Sequence, residues 1–394
     1  MSKWRKKQLQ EIAFLKPTET LKKGDIAPNI PMANIKEFQR DVVKIDYGEF
    51  RGGTKFRNGD TLLAKITPCL ENGKTAFVNC LQEDEIGFGS TEFIVLRAKE
   101  NIDERFLYYL SISPEFRKQA ISLMEGTSGR KRVNENALKI SDFLIPDFEE
   151  QRKIANILSA IDDKIQINNQ INHELEAMAK ALYDYWFMQF DFPDQNGKPY
   201  KSSGGKMVYN PELKREIPEG WGVEKLKYFL TIKNGKDHKN LQDGKFAVYG
   251  SGGIMRSVTD YLYSGESILF PRKGTLNNVM YVNEKFWTVD TMFYSEVNKN
   301  NSALYVFYSV KDIDFNKLNT GTGVPSMTSS ILYDLNIIVP EENILEKFNT
   351  VVKRNYETIK LNNIQNQELI QLRDWLLPML MNGQVYKRIE GKND

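Results

Sequence analysis

The sequence predicts an α+β protein made of one unit used twice: two similar α/β globules joined by two long antiparallel coiled-coil helices, in a pseudo-twofold internal repeat. Three observations carry this. A heptad stripe runs through Ile154, Leu158, Ile161, Ile165, Asn168, Asn172, Leu175, Ala179, Leu182 and Trp186, unbroken by proline or glycine. Such a stripe needs a partner helix along one seam. The same steps recur through Val352, Asn355, Ile359, Asn362, Asn366, Leu369, Arg373, Leu376 and Leu380, with Asn168 and Asn172 each 194 residues ahead of Asn362 and Asn366. The flanks repeat too, with Leu144-Ile-Pro146 ahead of the first stripe and Ile338-Val-Pro340 ahead of the second.

Residues 1–148 form the first globule. Short strands at Asp60–Ile66, Thr75–Val78 and Phe93–Leu96 alternate with turn signals at Gly52-Gly53 and Asn72-Gly73, as half-buried strands do. A helix from Asp103 to about Ser111 and another behind Pro114 complete it. Residues 149–190 carry the first long helix, and residues 191–220, with NGKPYKSSGGK, form a linker or loosely packed arm. Residues 221–341 retrace the first globule. Trp221 and Leu226 answer Trp4 and Leu9, and Gly265-Glu-Ser-Ile-Leu269 answers Gly59-Asp-Thr-Leu-Leu63. Thr291-Met-Phe293 answers Thr91-Glu-Phe93, the aromatic helix around Tyr305 answers that around Tyr108, and Gly321-Thr-Gly323 answers Thr127-Ser-Gly129. The second long helix fills residues 342–383, where Pro378 should kink or finish it and Gly383 cap it. Residues 384–394 are a tail.

Each helix should be about 60 Å long at 1.5 Å per residue. Antiparallel pairing puts the globules at opposite ends of a rod and lets Asn168 and Asn172 meet Asn362 and Asn366 in a central polar layer. Asparagines in a seam weaken packing but fix register. The second seam is less regular, with Asn355 and Arg373 where the first has Ile161 and Ala179.

Hydrophobic content of 41% and charged content of 27% are ordinary for a globular protein, and a net charge of +2 confines any nucleic-acid footprint to local patches. No run of roughly 18 apolar residues suggests a membrane span, and no signal peptide follows MSKWRKKQLQ, so a cytoplasmic location is expected. Cys69 and Cys80 lack CxxC spacing and only His173 and His238 could join them. Buried free thiols are expected rather than a zinc site.

No nucleotide-phosphate loop, Gly-rich cofactor turn or [DNS]-P-P-[YFW] methyltransferase signature occurs. Pro193-Asp194 with Glu212-Leu-Lys214 fits a PD…ExK nuclease pattern, in which carboxylates hold Mg²⁺. That chemistry needs a rigid core, and here the residues flank a polar link. No catalytic or metal-ligating residue is therefore assigned. The binding candidates lie on loops at matching places in the two globules. The first offers Thr127, Ser128, Arg130, Lys131 and Arg132, bordered by Lys65 and Lys74. The second offers Arg272, Lys273, Asn277, Asn278 and Thr322, with Lys236 and Arg256 upstream; Val324-Pro-Ser326 replaces the Arg130-Lys-Arg132 run. Cations of this kind dock on phosphates, and arginine or asparagine reads base edges.

This organisation resembles the specificity subunit of type I restriction–modification systems. The resemblance rests on Ile145-Pro146 leading into Glu150-Gln-Arg-Lys-Ile154, on Leu182-Tyr-Asp-Tyr-Trp-Phe187, Phe190-Asp-Phe-Pro193 and Ile217-Pro-Glu-Gly-Trp221, and on the ending Leu376-Leu-Pro-Met-Leu-Met-Asn-Gly383. It implies that each globule is a target recognition domain reading one half of a split double-stranded DNA sequence, with the helices as ruler. It implies no catalysis and no directly bound cofactor. S-adenosylmethionine, ATP and Mg²⁺ belong to partners: two modification subunits that methylate adenine, and restriction subunits that translocate and cut. Trp186, Phe187 and Leu376 are the implied partner contacts. The rival readings are a nuclease built on Asp194, Glu212 and Lys214, and a structural coiled-coil adaptor.

Overall fold

The structure is a computed structural model that describes residues 4–127, 129–321 and 323–383. The chain forms two compact units, Met1–Gln170 with Asn362–Asp394, and Ile171–Leu361. The boundary falls inside both long helices, so each unit contains one globule and a stretch of each helix.

In the first unit, Ala13–Leu15, Phe93–Ala98, Thr61–Ala64 and Thr75–Phe77 form one four-stranded antiparallel sheet. Asp46–Glu49, Ile26–Ile30, Gly87–Gly89 and Thr54–Phe56 form another. Helix Glu104–Ile112 starts where Asp103 accepts the Arg105 and Phe106 amides, and Pro114–Ser122 starts on Ser113 with proline in its first turn. Arg5–Gln8 pairs with Asp142–Ile145 just ahead of the first long helix, Phe148–Tyr183. The core joins Leu63, Ile94, Phe106, Tyr109 and Phe116 to Ile154 and Leu158 of that helix and to Leu377 and Leu380 of the second, Glu342–Met381.

The second unit repeats the frame. Gly222–Lys225 pairs with Asn336–Val339 ahead of the second long helix. A six-stranded sheet runs Leu230–Asn234, Met292–Val297, Tyr263–Pro271, Met280–Thr288, Asp243–Gly250, Gly253–Val258. Its core joins Ile268, Phe270, Phe293 and Tyr305 to Ala179, Tyr183 and Phe187 of the first helical stretch and to Phe348 and Val352 of the second. The stretch expected to be a loose linker is packed. Phe192 stacks between Tyr200 and Trp221, at 4.7 and 4.8 Å between centroids, and Met207–Asn210 pairs with Arg215–Pro218 as a hairpin. Phe190, Phe192, Ile217 and Trp221 are buried in the second unit's core, and Tyr200, Met207 and Leu213 pack against it.

Within each unit the helices run antiparallel. In the first, Asn168 Nδ2 donates to Asn366 Oδ1 (2.9 Å) and Gln365 Oε1 (2.8 Å), and Asn366 Nδ2 donates to Asn169 Oδ1 (2.9 Å). Asn168, Asn172 and Asn366 are buried and Asn362 is half-buried. Six residues before Asn168, Asp162 meets Arg373, seven residues after Asn366, at 3.0 Å. Arg373 is thus the positive half of a buried ion pair, not an irregularity of the seam. In the second unit Asn355 Nδ2 reaches the Leu175 carbonyl at 3.4 Å. Pro378 does not end its helix, which continues to Met381 before Gly383 (φ +66°) closes it.

Candidate nucleic-acid interface

Both globules build the same crossing of two loops at the exit of a buried strand. In the first, the chain leaves Thr61–Ala64, and the Lys65 amide donates to the Glu92 carbonyl (2.9 Å). The Val133 amide then donates to the Lys65 carbonyl (2.9 Å) and the Thr67 amide to the Lys131 carbonyl (3.0 Å). In the second, the Arg272 amide donates to Thr291 (2.8 Å), the Met327 amide to Arg272 (2.9 Å) and the Gly274 amide to Pro325 (3.0 Å). The crossing therefore sets Arg272 where the first globule has Lys65. Gly274 sits at φ +91°, and a Cβ there would stand 2.9 Å from Ser251 Oγ, so this turn requires glycine. Its neighbour Asn278 donates to the Ser251 carbonyl (2.8 Å), which ties in the hairpin tip Gly250–Gly253.

The side chains divide. Arg130, Lys131, Lys236, Arg272 and Lys273 are exposed and join no ion pair among the described residues. Thr127 is exposed in the turn closed by the Arg130 amide (3.0 Å). Other expected contacts have internal partners. Lys65 is mostly buried beside Glu135 (3.2 Å), and Lys74 Nζ donates to the Met32 carbonyl (3.2 Å). Arg256 is held by Asp243 (2.6 Å) and the Leu241 carbonyl, and Asn277 donates to Asp314 (3.2 Å). Arg132 grips both Glu92 oxygens at 2.7 to 3.1 Å. Those hydrogen bonds hold the Glu92 carboxyl below its ordinary range, so the pair persists at neutral pH. Ser128 and Thr322 lie outside the described residues. The sequence reading missed the tip, where Ile254 and Met255 are exposed on the edge strand. Its signal was the run Gly250-Ser-Gly-Gly253.

The partner contacts need one correction. Phe187 is 1% exposed, ringed by Tyr305, Phe348 and Trp221, and belongs to the core. A π-helical turn, Asp184–Met188, swings it inward. Trp186 and Leu376 are half-buried. The thiols differ as well: Cys69 is half-buried and Cys80 exposed, both free. Asp194 Oδ1 accepts the Asn196 and Lys198 amides in a local turn, Glu212 and Lys214 lie between the hairpin strands, and no metal-capable group of His, Cys, Asp and Glu occurs among the described residues. No helix among them is long and apolar enough to cross a membrane.

The two globules thus repeat one loop crossing, and each presents exposed cations there. Comparison with known proteins gives the chain a family. Residues 1–177 and 218–371 match the type I restriction modification DNA specificity domain. The MjaIX specificity subunit of Methanocaldococcus jannaschii is 28% identical over 315 residues, covering 73% of this chain and 70% of that one. The HindI specificity subunit of Haemophilus influenzae is 24% identical over 408 residues, covering 84% and 87%. A crystal structure of the type I restriction–modification S subunit from M. genitalium shares the fold, with TM-score 0.57 and 17% identity over 96% of both chains. The chain belongs to the type I restriction–modification specificity family. It is a specificity subunit and not itself catalytic. Nothing favours the nuclease or adaptor reading.

Proposed function

We propose that this chain is the sequence-reading subunit of a type I restriction–modification complex, with each globule reading one half of a bipartite duplex site and the long helices setting the unread gap. The repeated loop crossing with Arg130 and Lys131 on one globule and Arg272 and Lys273 on the other carries this reading. These four cations dock on phosphate and base edges, while Lys65, Lys74, Arg132 and Arg256 hold the loops in shape. The complex works in the cytoplasm. Two modification subunits bring S-adenosylmethionine and methylate adenine, and restriction subunits bring ATP and Mg²⁺ chemistry. Their docking face is a second helical stripe at heptad spacing, Ile157, Ala160, Ile167, Ile171, Met178, Ala181, Tyr185 and Met188, all exposed, with Leu372 and Trp375 on the other helix.

Binding of target duplex by the assembled complex over a range of salt concentrations tests the reading. Arg272→Ala with Lys273→Ala should weaken binding about 10- to 100-fold and flatten the logarithmic salt slope by about two, one per lost phosphate contact. Unchanged affinity and slope would remove the second crossing from the interface. Glu92→Gln should act the other way. It frees Arg132, so the slope should steepen by about one.

A further inference from the structure

Two helices that share a heptad stripe and an asparagine layer face a choice of partner. Asn168 and Asn172 stand 194 residues before Asn362 and Asn366, so each helix offers these asparagines to the other helix and to a second copy of itself, while Gln365, which accepts from Asn168, falls where the first helix has Ile171. The asparagines fix register, and apart from the one neutral hydrogen bond to Gln365 they do not choose the partner.

The buried ion pair does choose. Asp162 and Arg373 are each 3% exposed, and Arg373 Nη1 donates to Asp162 Oδ1 at 3.0 Å. Tyr109 Oη donates to Asp162 Oδ2 at 2.7 Å, and Arg373 Nε and Nη2 donate to Asp374 at 3.0 and 2.9 Å. On the next residue of the first helix, the exposed Asp163, Arg40 of the globule closes an ion pair at 2.7 Å, with its own neighbour Asp41 at 3.1 Å. The repeat does not reproduce this pair. The residue 194 positions before Arg373 is Ala179, and the residue 194 positions after Asp162 is Tyr356. Ala179 is packed in the second core, and Tyr356 rests edge-on against Tyr281 at 4.7 Å.

Pairing of the first helix with its own copy would therefore set each Asp162 against Ala179, and pairing of the second with its own copy would set each Arg373 against Tyr356. Either arrangement buries two charges of one sign that have lost their buried opposite charge, leaving Asp162 the Tyr109 hydroxyl and Arg373 the mostly exposed Asp374, which is costlier than the complete pair. We infer that Asp162 and Arg373 are the partner-selecting residues of the helix pair: they make the first long helix choose the second and reject a second copy of itself. The seam alone makes this choice. Its consequence, that every reader carries one globule of each kind and so reads two different half-sites, rests on the function proposed above.

The test co-expresses two full-length copies of the chain with different tags and measures mixed-tag dimers by sequential affinity capture and mass photometry. The wild type sets the baseline. Asp162→Leu with Arg373→Leu and Tyr109→Phe removes both charges and the hydroxyl that would lose its acceptor, and it should raise the mixed-tag fraction at least tenfold. Asp162→Asn with Arg373→Gln keeps hydrogen-bonding groups, serves if the apolar variant does not fold, and should give the same rise. A variant with wild-type helix content and a wild-type mixed-tag fraction overturns the proposal. Methylation mapping adds a second readout, since a like-with-like reader should mark a site built from one half-site twice. If the wild-type complex methylates no bipartite site, the function proposed above fails while the tag result still decides the pairing.

Discussion

Arg373→Ala is expected to lower stability against unfolding by about 3–5 kcal/mol, because it leaves the Asp162 carboxylate buried without its cation. Asp162→Ala should cost a similar amount by stranding Arg373. The two together should cost clearly less than their sum, since the second substitution removes a charge the first had orphaned. Denaturant titration gives all three values, and an additive result would show that the residues do not act as a pair. The deficit also has a pH signature. Burial pushes the Asp162 carboxyl above its ordinary range, against the opposing pull of Arg373, Tyr109 and Arg40. A carboxyl raised in the folded state holds its proton more tightly folded than unfolded, so its contribution favours folding at low pH and is lost as pH rises through the folded value. Loss of Arg373 raises that value further. The deficit of Arg373→Ala should therefore shrink as pH falls from neutral into the acid range, as protonated Asp162 no longer needs a cation. A deficit independent of pH would place the cost in lost packing.

The long helices and the repeat were legible because their signals are local. The heptad stripes ran where the helices run, Asp103 and Pro114 marked the two short helices, and Gly383 marked the end of the last. The loop crossing was legible in part: Thr127–Gly129 and Gly321–Gly323 mark the two loops in the sequence, but the hydrogen bonds of the crossing join Lys65 to Val133 and Arg272 to Met327, segments far apart in the chain. Long-range partners also explain the misreadings. Arg373 looked like a defect because its partner Asp162 is 211 residues away. Arg130, Lys131 and Arg132 looked alike, yet Glu92, 40 residues distant, engages only the last. Phe187 looked like an outward contact at a helix end until the π-turn and the arm behind it closed over the ring. Contiguous sequence sets which residues are cations or rings. It does not say which of them the fold has already used.

Deleting one heptad from each long helix, in the stretch that joins the Asn168–Asn366 layer to the Leu175–Asn355 contact, should move the recognised gap and nothing else. Seven residues span about 10.5 Å of α-helix, close to three base pairs at 3.4 Å each. The three-base-pair change also turns the duplex by about a third of its helical repeat, a twist that the duplex and the globules must take up at the shorter gap, since an α-helical heptad falls only about 20° short of two full turns. The shortened chain therefore cannot engage both halves of the native site, and methylation there should fall by roughly a hundredfold or more, as expected when specific contacts on one side are lost. Sites with the same two halves and a gap shorter by about three base pairs should replace them. Genome-wide mapping of methylated adenines separates the outcomes. New gaps with unchanged halves would establish the helices as the spacer. Altered bases within a half would mean that the helices shape the reading loops themselves, and the ruler reading would fall.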